Sequence, residues 1–255
     1  MTEPRHTVLF LHVMKCGGTS FFKLGEATLG PERSRRLVQD EIAQGRLPPD
    51  IAHCRFLHGH LSAWHLGHLP MATQIVTLLR RPAARLVSLY HFFRAMELGT
   101  AALADPAPYY CIARAAKALD LAGFLRSEEP AVRSQTSEHL VRILCDRGDR
   151  NALFGDLAMT ETDLESAWAR LGALASFGLV ERYPDSLALL CRALGWPGPE
   201  RQERLNALED LEAGGNGLQP IRRPPGTPGI PAAPGPPHPP SPPMAETMPP
   251  APCTP

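Results

Sequence analysis

The chain has 255 residues, enough for one sizeable domain with a buried core. Its 26 lysines and arginines balance its 26 aspartates and glutamates, which argues against broad binding to nucleic acid or to a charged membrane surface. Any site for an anion must therefore be local. No apolar run reaches the roughly 18 residues of a transmembrane helix, and the N-terminus lacks a signal-peptide pattern, so we predict no transmembrane segment.

The first predicted element is a buried strand over residues 7–13, an apolar run that leads directly into a turn. One lysine, two glycines and two hydroxyl residues follow it: Lys15, Gly17, Gly18, Thr19 and Ser20. Glycines let a ligand approach the backbone closely, and the hydroxyls open the next helix at its positive end. The pattern indicates a site for phosphate or sulfate, with an ordinary connection and a solvated lysine as the alternative. A Walker A loop differs, because its lysine follows the glycines.

A shorter strand candidate over residues 55–58 is followed by a second histidine two residues after His58, at His60. Histidine titrates near neutral pH and is the usual general base, so both residues are candidates for acid–base chemistry. A metal site and a purely structural role are the alternatives. No third metal ligand is evident nearby, so we expect no metal.

A second buried strand is predicted over residues 74–79, and it runs into Arg80. Pro82 then stands at the favoured first position of a helix that also carries Ser88. Ligands of open α/β sheets bind at the carboxyl ends of strands, so Arg80 is well placed for a second anionic group. The alternative is a surface arginine in a loop and an exposed serine on the helix.

Apolar residues at helical spacing dominate the rest of the chain. They predict helices around residues 86–93, 164–171 and 187–194, with a weaker strand over 176–180. Thr162 and Glu165 form a candidate capping box for the middle helix, whose apolar stripe is Leu164, Trp168 and Leu171. Strands that alternate with helices predict an α/β fold with a central parallel sheet flanked by helices.

The composition changes sharply near residue 214, where proline and glycine become dominant. We therefore predict a folded domain over residues 1–213 and a proline-rich disordered tail over 214–255, with a proline-recognising partner as a minor alternative. The six cysteines lie far apart without a metal-binding spacing, which favours free thiols and a cytoplasmic location.

Three of these segments, in this order, resemble a known family: the carbohydrate sulfotransferases of the heparan sulfate 2-O-sulfotransferase-like type, which use 3′-phosphoadenosine 5′-phosphosulfate (PAPS), and their bacterial relatives. Residues 12–20 read His-Val-Met-Lys-Cys-Gly-Gly-Thr-Ser, where the family typically has His-Val-Pro-Lys-Thr-Gly-Gly-Thr-Ser. Residues 80–90 match its Arg-Asp-Pro-x-x-Arg-Leu-x-Ser-x-Tyr, with arginine in place of aspartate at position 81. The His-Gly-His segment lies between the two, and residues 134–136 and 177–182 resemble later segments.

The resemblance covers roughly residues 7–200 and implies a three-layer, P-loop-like fold. It implies that the donor PAPS is held at its 5′-phosphosulfate by the loop residues Lys15, Gly17, Gly18, Thr19 and Ser20. Arg80 and Ser88 would hold the 3′-phosphate. His60 would be the general base toward a hydroxyl of a carbohydrate-like acceptor, assisted by His58, and Lys15 would also stabilise the leaving charge. No metal is required by this chemistry.

Two other functions stay open at this stage. One is a non-catalytic or impaired module that binds PAPS or its desulfated product without a working acceptor site. The other is a nucleotide kinase or hydrolase, which the lysine-first turn and the lack of a clear magnesium-binding aspartate after a strand disfavour. The identity of the acceptor and the oligomeric state have no readable signal in the chain.

Overall fold

The computed structural model describes residues 6–39, 42, 47–69, 73–100, 105–147 and 158–198. In these ranges the chain forms a five-stranded, all-parallel sheet flanked by helices. This confirms the predicted α/β fold with a central parallel sheet. The proline-rich stretch 214–255 lies outside the described residues, and the cysteines within them are free thiols.

The strands lie in the order β2-β3-β1-β4-β5. Their bounds are β1 (Thr7–Leu11), β2 (Ser34–Arg36), β3 (Phe56–Gly59), β4 (Thr73–Leu79) and β5 (Ser176–Leu179). All four predicted strands are present with bounds shifted by one or two residues. The edge strand β2 was not predicted, because its Ser-Arg-Arg sequence is polar and has no apolar signal.

Helices connect the strands and cover the sheet. In the described part of the chain they are α1 (Gly18–Leu29), α2 (Ala63–Leu66), α3 (Pro82–Ala95), α4 (Pro108–Ala118), α5 (Leu121–Leu125), α6 (Pro130–Thr136), α7 (His139–Leu144), α8 (Glu161–Ala173) and α9 (Tyr183–Leu194). Short 3₁₀ turns precede β2 and β3 and follow β5. None of the helices described is both long and apolar enough to cross a membrane.

Strand β1 is the centre of the main core. Its residues Val8 to Leu11 are buried, and it pairs in parallel with β3 on one flank and with β4 on the other. A polar contact closes its carboxyl end, where the buried Thr77 hydroxyl on β4 donates to the Leu11 carbonyl over 2.7 Å. This bond aligns the last residues of β1 and β4, and both strands run into predicted site segments from there.

A second hydrophobic cluster lies away from the sheet, between α3 and the shorter helices α4, α5 and α6. Its centre consists of fully buried side chains, among them Leu89, Phe93, Ile112, Phe124 and Val132. The partly buried Met14, from the turn after β1, packs against this cluster. This methionine, at the position where the resembled motif typically has proline, is therefore a contact between the turn and α3–α6.

Two details predicted for α8 are wrong. The capping box joins Thr160 and Asp163, not Thr162 and Glu165, so the helix begins earlier than predicted. The predicted stripe also faces outward in part, since Trp168 is 72% exposed. The buried positions are Asp163 and Ala167, one residue earlier on the helix, and the Asp163 carboxylate is there because it accepts the Thr160 hydroxyl and backbone N–H.

The strand order creates a crevice at the carboxyl ends of β1 and β4. From β1 the chain passes through α1 to β2, on the β3 flank of the sheet, whereas from β4 it passes to β5 on the opposite flank. Neighbouring strands whose connections diverge in this way leave an opening at their carboxyl ends, which is the usual ligand site in open α/β sheets. The segments after β1, β3 and β4 all reach this edge.

Candidate active site

The loop after β1 has an unusual backbone. Lys15 has a φ of 65° and Gly17 a φ of 71°, both in the left-handed region, and the Cys16 N–H donates to the Val13 carbonyl over 3.2 Å. A left-handed lysine is uncommon, and such conformations are frequent where a loop binds a ligand. Helix α1 then begins at Gly18. The backbone N–H groups of its first turn have no acceptor within the helix itself.

Both glycines of this loop are required by their surroundings. At Gly18 an added Cβ would stand 2.1 Å from the Cδ2 and Nε2 atoms of the His12 ring, so the ring lies directly on the loop backbone. At Gly17 the positive φ already disfavours any other residue, and the ring of Tyr183 closes the space from α9 at 3.4 Å. Thr19 and Ser20 occupy the first turn of α1, as predicted, with Ser20 buried.

Two cations meet at the crevice. The Arg80 side chain donates from Nη1 to the Lys15 carbonyl over 3.4 Å, which joins the segments after β1 and β4. The Lys15 ammonium lies 4.1 Å from the centre of the Phe92 ring on α3. Burial, followed by the Arg80 charge, lowers the pKa of Lys15 to about 8. The ion pairs of the described part of the chain include neither cation.

Cys16 packs between these two segments. Its side chain is buried, burial raises the pKa of its thiol to about 12, and the backbone N–H of Arg80 donates to its sulfur. The thiol is therefore protonated at neutral pH and acts as a small packing residue. The strongest charge acting on it is that of Arg85, followed by that of Arg80.

The alternative of an exposed serine on α3 is wrong, and the role of Arg80 and Ser88 toward an anion stays a prediction. Arg80 is half-buried and Ser88 is buried on α3, which begins at Pro82 as predicted. Arg81, at the position where the resembled motif has aspartate, is exposed, and its backbone N–H donates to the Glu181 carboxylate over 2.9 Å. Glu181, from the turn after β5, therefore supplies the acidic group at the start of this helix.

His60 follows β3 and contacts His12, which lies at the start of the loop after β1. Its Nδ1 lies 2.7 Å from the His12 carbonyl oxygen, and the two imidazole rings pack against each other, tilted by 31°, at 4.3 Å between centres. Because a carbonyl oxygen only accepts, Nδ1 carries the proton in this bond and Nε2 keeps its lone pair. Burial lowers the pKa of His60, so the ring is neutral at neutral pH. This is the protonation state that a general base requires.

His58 lies deeper than His60. Its ring packs on Phe22 of α1 at 4.3 Å and on Phe56 at 5.8 Å, and burial lowers its pKa to about 4. Among the described residues, the hydrogen bond of the His60 ring is to the His12 carbonyl and not to His58. His12, which was not predicted as a site residue, therefore fixes the orientation of the His60 ring.

No protein-family model and no curated protein matches this chain. Function is therefore inferred from the site itself, together with the motif resemblance.

The structure thus brings the predicted loop, Arg80 and His60 to one edge of the sheet, whereas Ser88 is buried on α3. His12, Arg85 and Glu181 also belong to this edge, although sequence reasoning gave them no role. All three residues lie inside segments that resemble the family's motifs, so the motifs could have singled them out. Their contacts could not be predicted, because they join segments that are distant in the sequence. Among the described residues no group of three or more side chains has the arrangement of a metal site.

The contact between Gly18 and His12 gives a direct test of this geometry. Gly18→Ala is expected to lower the free energy of unfolding in urea by about 1–3 kcal/mol, because the added methyl group forces the His12 ring off the loop. Gly172→Ala is the matched control: this helical glycine of α8 has open space around it, and alanine there should stabilise the helix by roughly 0.5–1 kcal/mol. Equal unfolding curves for the two variants would contradict the packing of His12 on the loop.

Proposed function

We propose that the chain is a sulfotransferase that moves a sulfonate group from PAPS to a hydroxyl group of a carbohydrate-like acceptor. The observation that carries the proposal is the contact of His60 with His12. It sets a neutral histidine, with its Nε2 lone pair available, against the same loop that presents Lys15 and the start of α1. A candidate base and a candidate anion site therefore share one edge of the sheet.

The residues of this edge fit the donor. PAPS has a phosphosulfate on its 5′ side and a phosphate on its 3′ side, so it needs two cationic subsites. Lys15 and Arg80 are joined through the Lys15 carbonyl, and neither has an acidic partner within the described ranges. Two neighbouring cations that repel each other are stabilised by an anion between or beside them. Because positions 17 and 18 are glycines, no side chain of their own covers the loop backbone, which lets a ligand approach it closely.

Each residue then has a separate role. Lys15, Gly17, Gly18, Thr19 and Ser20 would hold the 5′-phosphosulfate, while Arg80 and Ser88 would hold the 3′-phosphate. His60 would accept the acceptor's hydroxyl proton at Nε2, and His12 would keep that nitrogen oriented through its carbonyl. His58, buried against the aromatic rings of α1 and β3, would support the position of this segment.

When bound, the donor supplies the sulfonate group that is transferred. As the acceptor oxygen forms its bond to sulfur, the bond from sulfur to the bridging oxygen breaks. His60 takes the proton released by the hydroxyl, and Lys15 holds the charge that collects on the bridging oxygen. Positioning and fixed charges account for catalysis of this kind, as in phosphoryl transfer, and no resident metal takes part in these steps.

Titration calorimetry with adenosine 3′,5′-bisphosphate, the desulfated product, tests the donor assignment. We expect it to bind more tightly than adenosine 5′-monophosphate, which lacks the 3′-phosphate. Arg80→Ala should weaken binding of the bisphosphate by about 10–100-fold, the effect of losing a charged hydrogen bond, and should reduce the preference over the monophosphate. Arg192→Ala, which removes an exposed arginine of α9, is the control.

Transfer of labelled sulfonate from PAPS to a panel of glycans tests the second half of the proposal. Binding of the bisphosphate without transfer to any glycan would favour the non-catalytic module. If the wild-type chain did not distinguish bisphosphate from monophosphate, and Arg80→Ala changed neither affinity, the donor assignment would be wrong.

A further inference from the structure

Arg85 is a buried cation that has no ion pair with any of the described residues. It lies on α3, one turn after Pro82, and its side chain is only 3% exposed. Its Nη2 donates to the Gln135 carbonyl on α6, whereas its Nη1 is buried and has no hydrogen-bond partner within the described ranges. Burial lowers the pKa of Arg85 to about 10, so it is still charged at neutral pH. A buried charge without a partner is strongly unfavourable.

Within the part of the chain that the structure describes, no carboxylate forms an ion pair with Arg85. Burial, and after it the positive charge of Arg85, hold the pKa of the buried His139 well below its ordinary value, so the His139 ring is neutral. The Glu181 carboxylate, whose charge acts on the Cys16 thiol, accepts a hydrogen bond from the Arg81 backbone N–H and is in none of the ion pairs of the described residues.

The Arg85 side chain bridges α3 and α6, and the loop after β1 packs against the same group of helices through Met14. The Arg85 charge lowers the pKa of the Cys16 thiol more than the Arg80 charge does. Arg80 is nevertheless bonded to this loop, since its backbone N–H donates to the Cys16 sulfur and its side chain donates to the Lys15 carbonyl. Arg85 is thus a third cation near this loop and is fully buried, whereas Lys15 and Arg80 are only half-buried.

We propose that Arg85 is the buried third cation of the anion site, a positioning residue whose uncompensated charge acts through the loop and selects polyanions over singly phosphorylated ligands. This inference rests on the proposed function and deepens it. The class of ligand that follows is one with three or more negative charges, such as a nucleoside bisphosphate. Arg85 does not touch the ligand, and its charge is compensated only when such an anion occupies the loop.

The test uses Arg85→Met, which keeps an unbranched apolar side chain and removes the guanidinium, and Arg85→Lys, which keeps a cationic group. We expect Arg85→Met to bind adenosine 3′,5′-bisphosphate about tenfold more weakly, the lower end of what one nearby charge contributes, and to lose preference over the monophosphate. Its melting temperature without ligand should equal or exceed that of the wild type. Arg85→Lys should bind within about threefold of the wild type.

The result that would overturn the inference is a purely structural Arg85. In that case Arg85→Met would melt at a lower temperature yet bind the bisphosphate as the wild type does, or Arg85→Lys would fail to restore binding. Inorganic tripolyphosphate separates this outcome from failure of the proposed function. If the wild type bound tripolyphosphate in an Arg85-dependent manner but did not prefer the bisphosphate nucleotide, the sulfotransferase assignment would fail and the role of Arg85 would stand.

Discussion

Replacing Lys15 by methionine is expected to weaken binding of adenosine 3′,5′-bisphosphate by about 100-fold at pH 7, the upper range for loss of a charge-assisted hydrogen bond. Methionine can still pack on the Phe92 ring, which the Lys15 ammonium contacts at 4.1 Å, so the loop should keep its shape while the charge disappears. Calorimetric titration measures the affinity. Lys23→Met, at an exposed position of the same helix that follows the loop, is the matched control.

The same residue makes binding depend on pH. Burial and then the Arg80 charge lower the pKa of Lys15 to about 8 in the free protein, and a bound anion favours the charged form. Affinity should therefore be highest below pH 8 and should fall as the pH rises through 8. Lys15→Arg, which stays protonated, should flatten this profile. An unchanged affinity between pH 7 and pH 9.5 in the wild type would exclude Lys15 as the main anion contact.

The second large effect is expected at His60. His60→Ala should lower the rate of sulfonate transfer by about 10²–10⁴-fold, the usual contribution of a general base, while binding of adenosine 3′,5′-bisphosphate stays within about threefold of the wild type. The two effects separate because His60 contacts the His12 carbonyl and ring and not the two cations. His53→Ala, at an exposed histidine of a 3₁₀ turn, is the control.

The pH profile of transfer distinguishes a base from a structural histidine. Burial lowers the pKa of His60 from its ordinary value near 6.5, so the neutral form persists below that pH and the acid limb of the rate profile should lie below 6.5. A His60→Ala variant with near wild-type turnover on a confirmed acceptor would remove His60 from the mechanism.

The sheet was largely predictable because its central strands have a strong local signal. The continuous apolar runs before Lys15 and before Arg80 are typical of strands buried on both faces, and both form paired strands, β1 and β4. The edge strand β2 has no such signal, since its pairing with β3 satisfies the backbone while its side chains stay largely exposed. The buried face of α8 was predicted wrongly, since Trp168 is exposed, because periodicity alone does not reveal which of two adjacent faces of a helix is buried.

The site was predictable only in its local parts. Lys15, Gly17 and Gly18 form a recognisable loop, and the position of Arg80 after a strand suggested a second cation. The contact of His60 with His12 was not predictable, because it joins residues 48 positions apart. The same holds for the buried position of Arg85 against α6, and for the contact of Glu181 with the start of α3, which spans 100 positions.

The bond between Arg80 and Lys15 also spans 65 positions of the chain, and the two residues meet only when β1 lies beside β4. A partly folded chain with isolated helices and an unpaired central strand has no such pair of cations. Specific binding of a bisphosphate nucleotide therefore requires that β1 and β4 are paired at the middle of the sheet. A variant that still binds the nucleotide has kept this part of its tertiary structure.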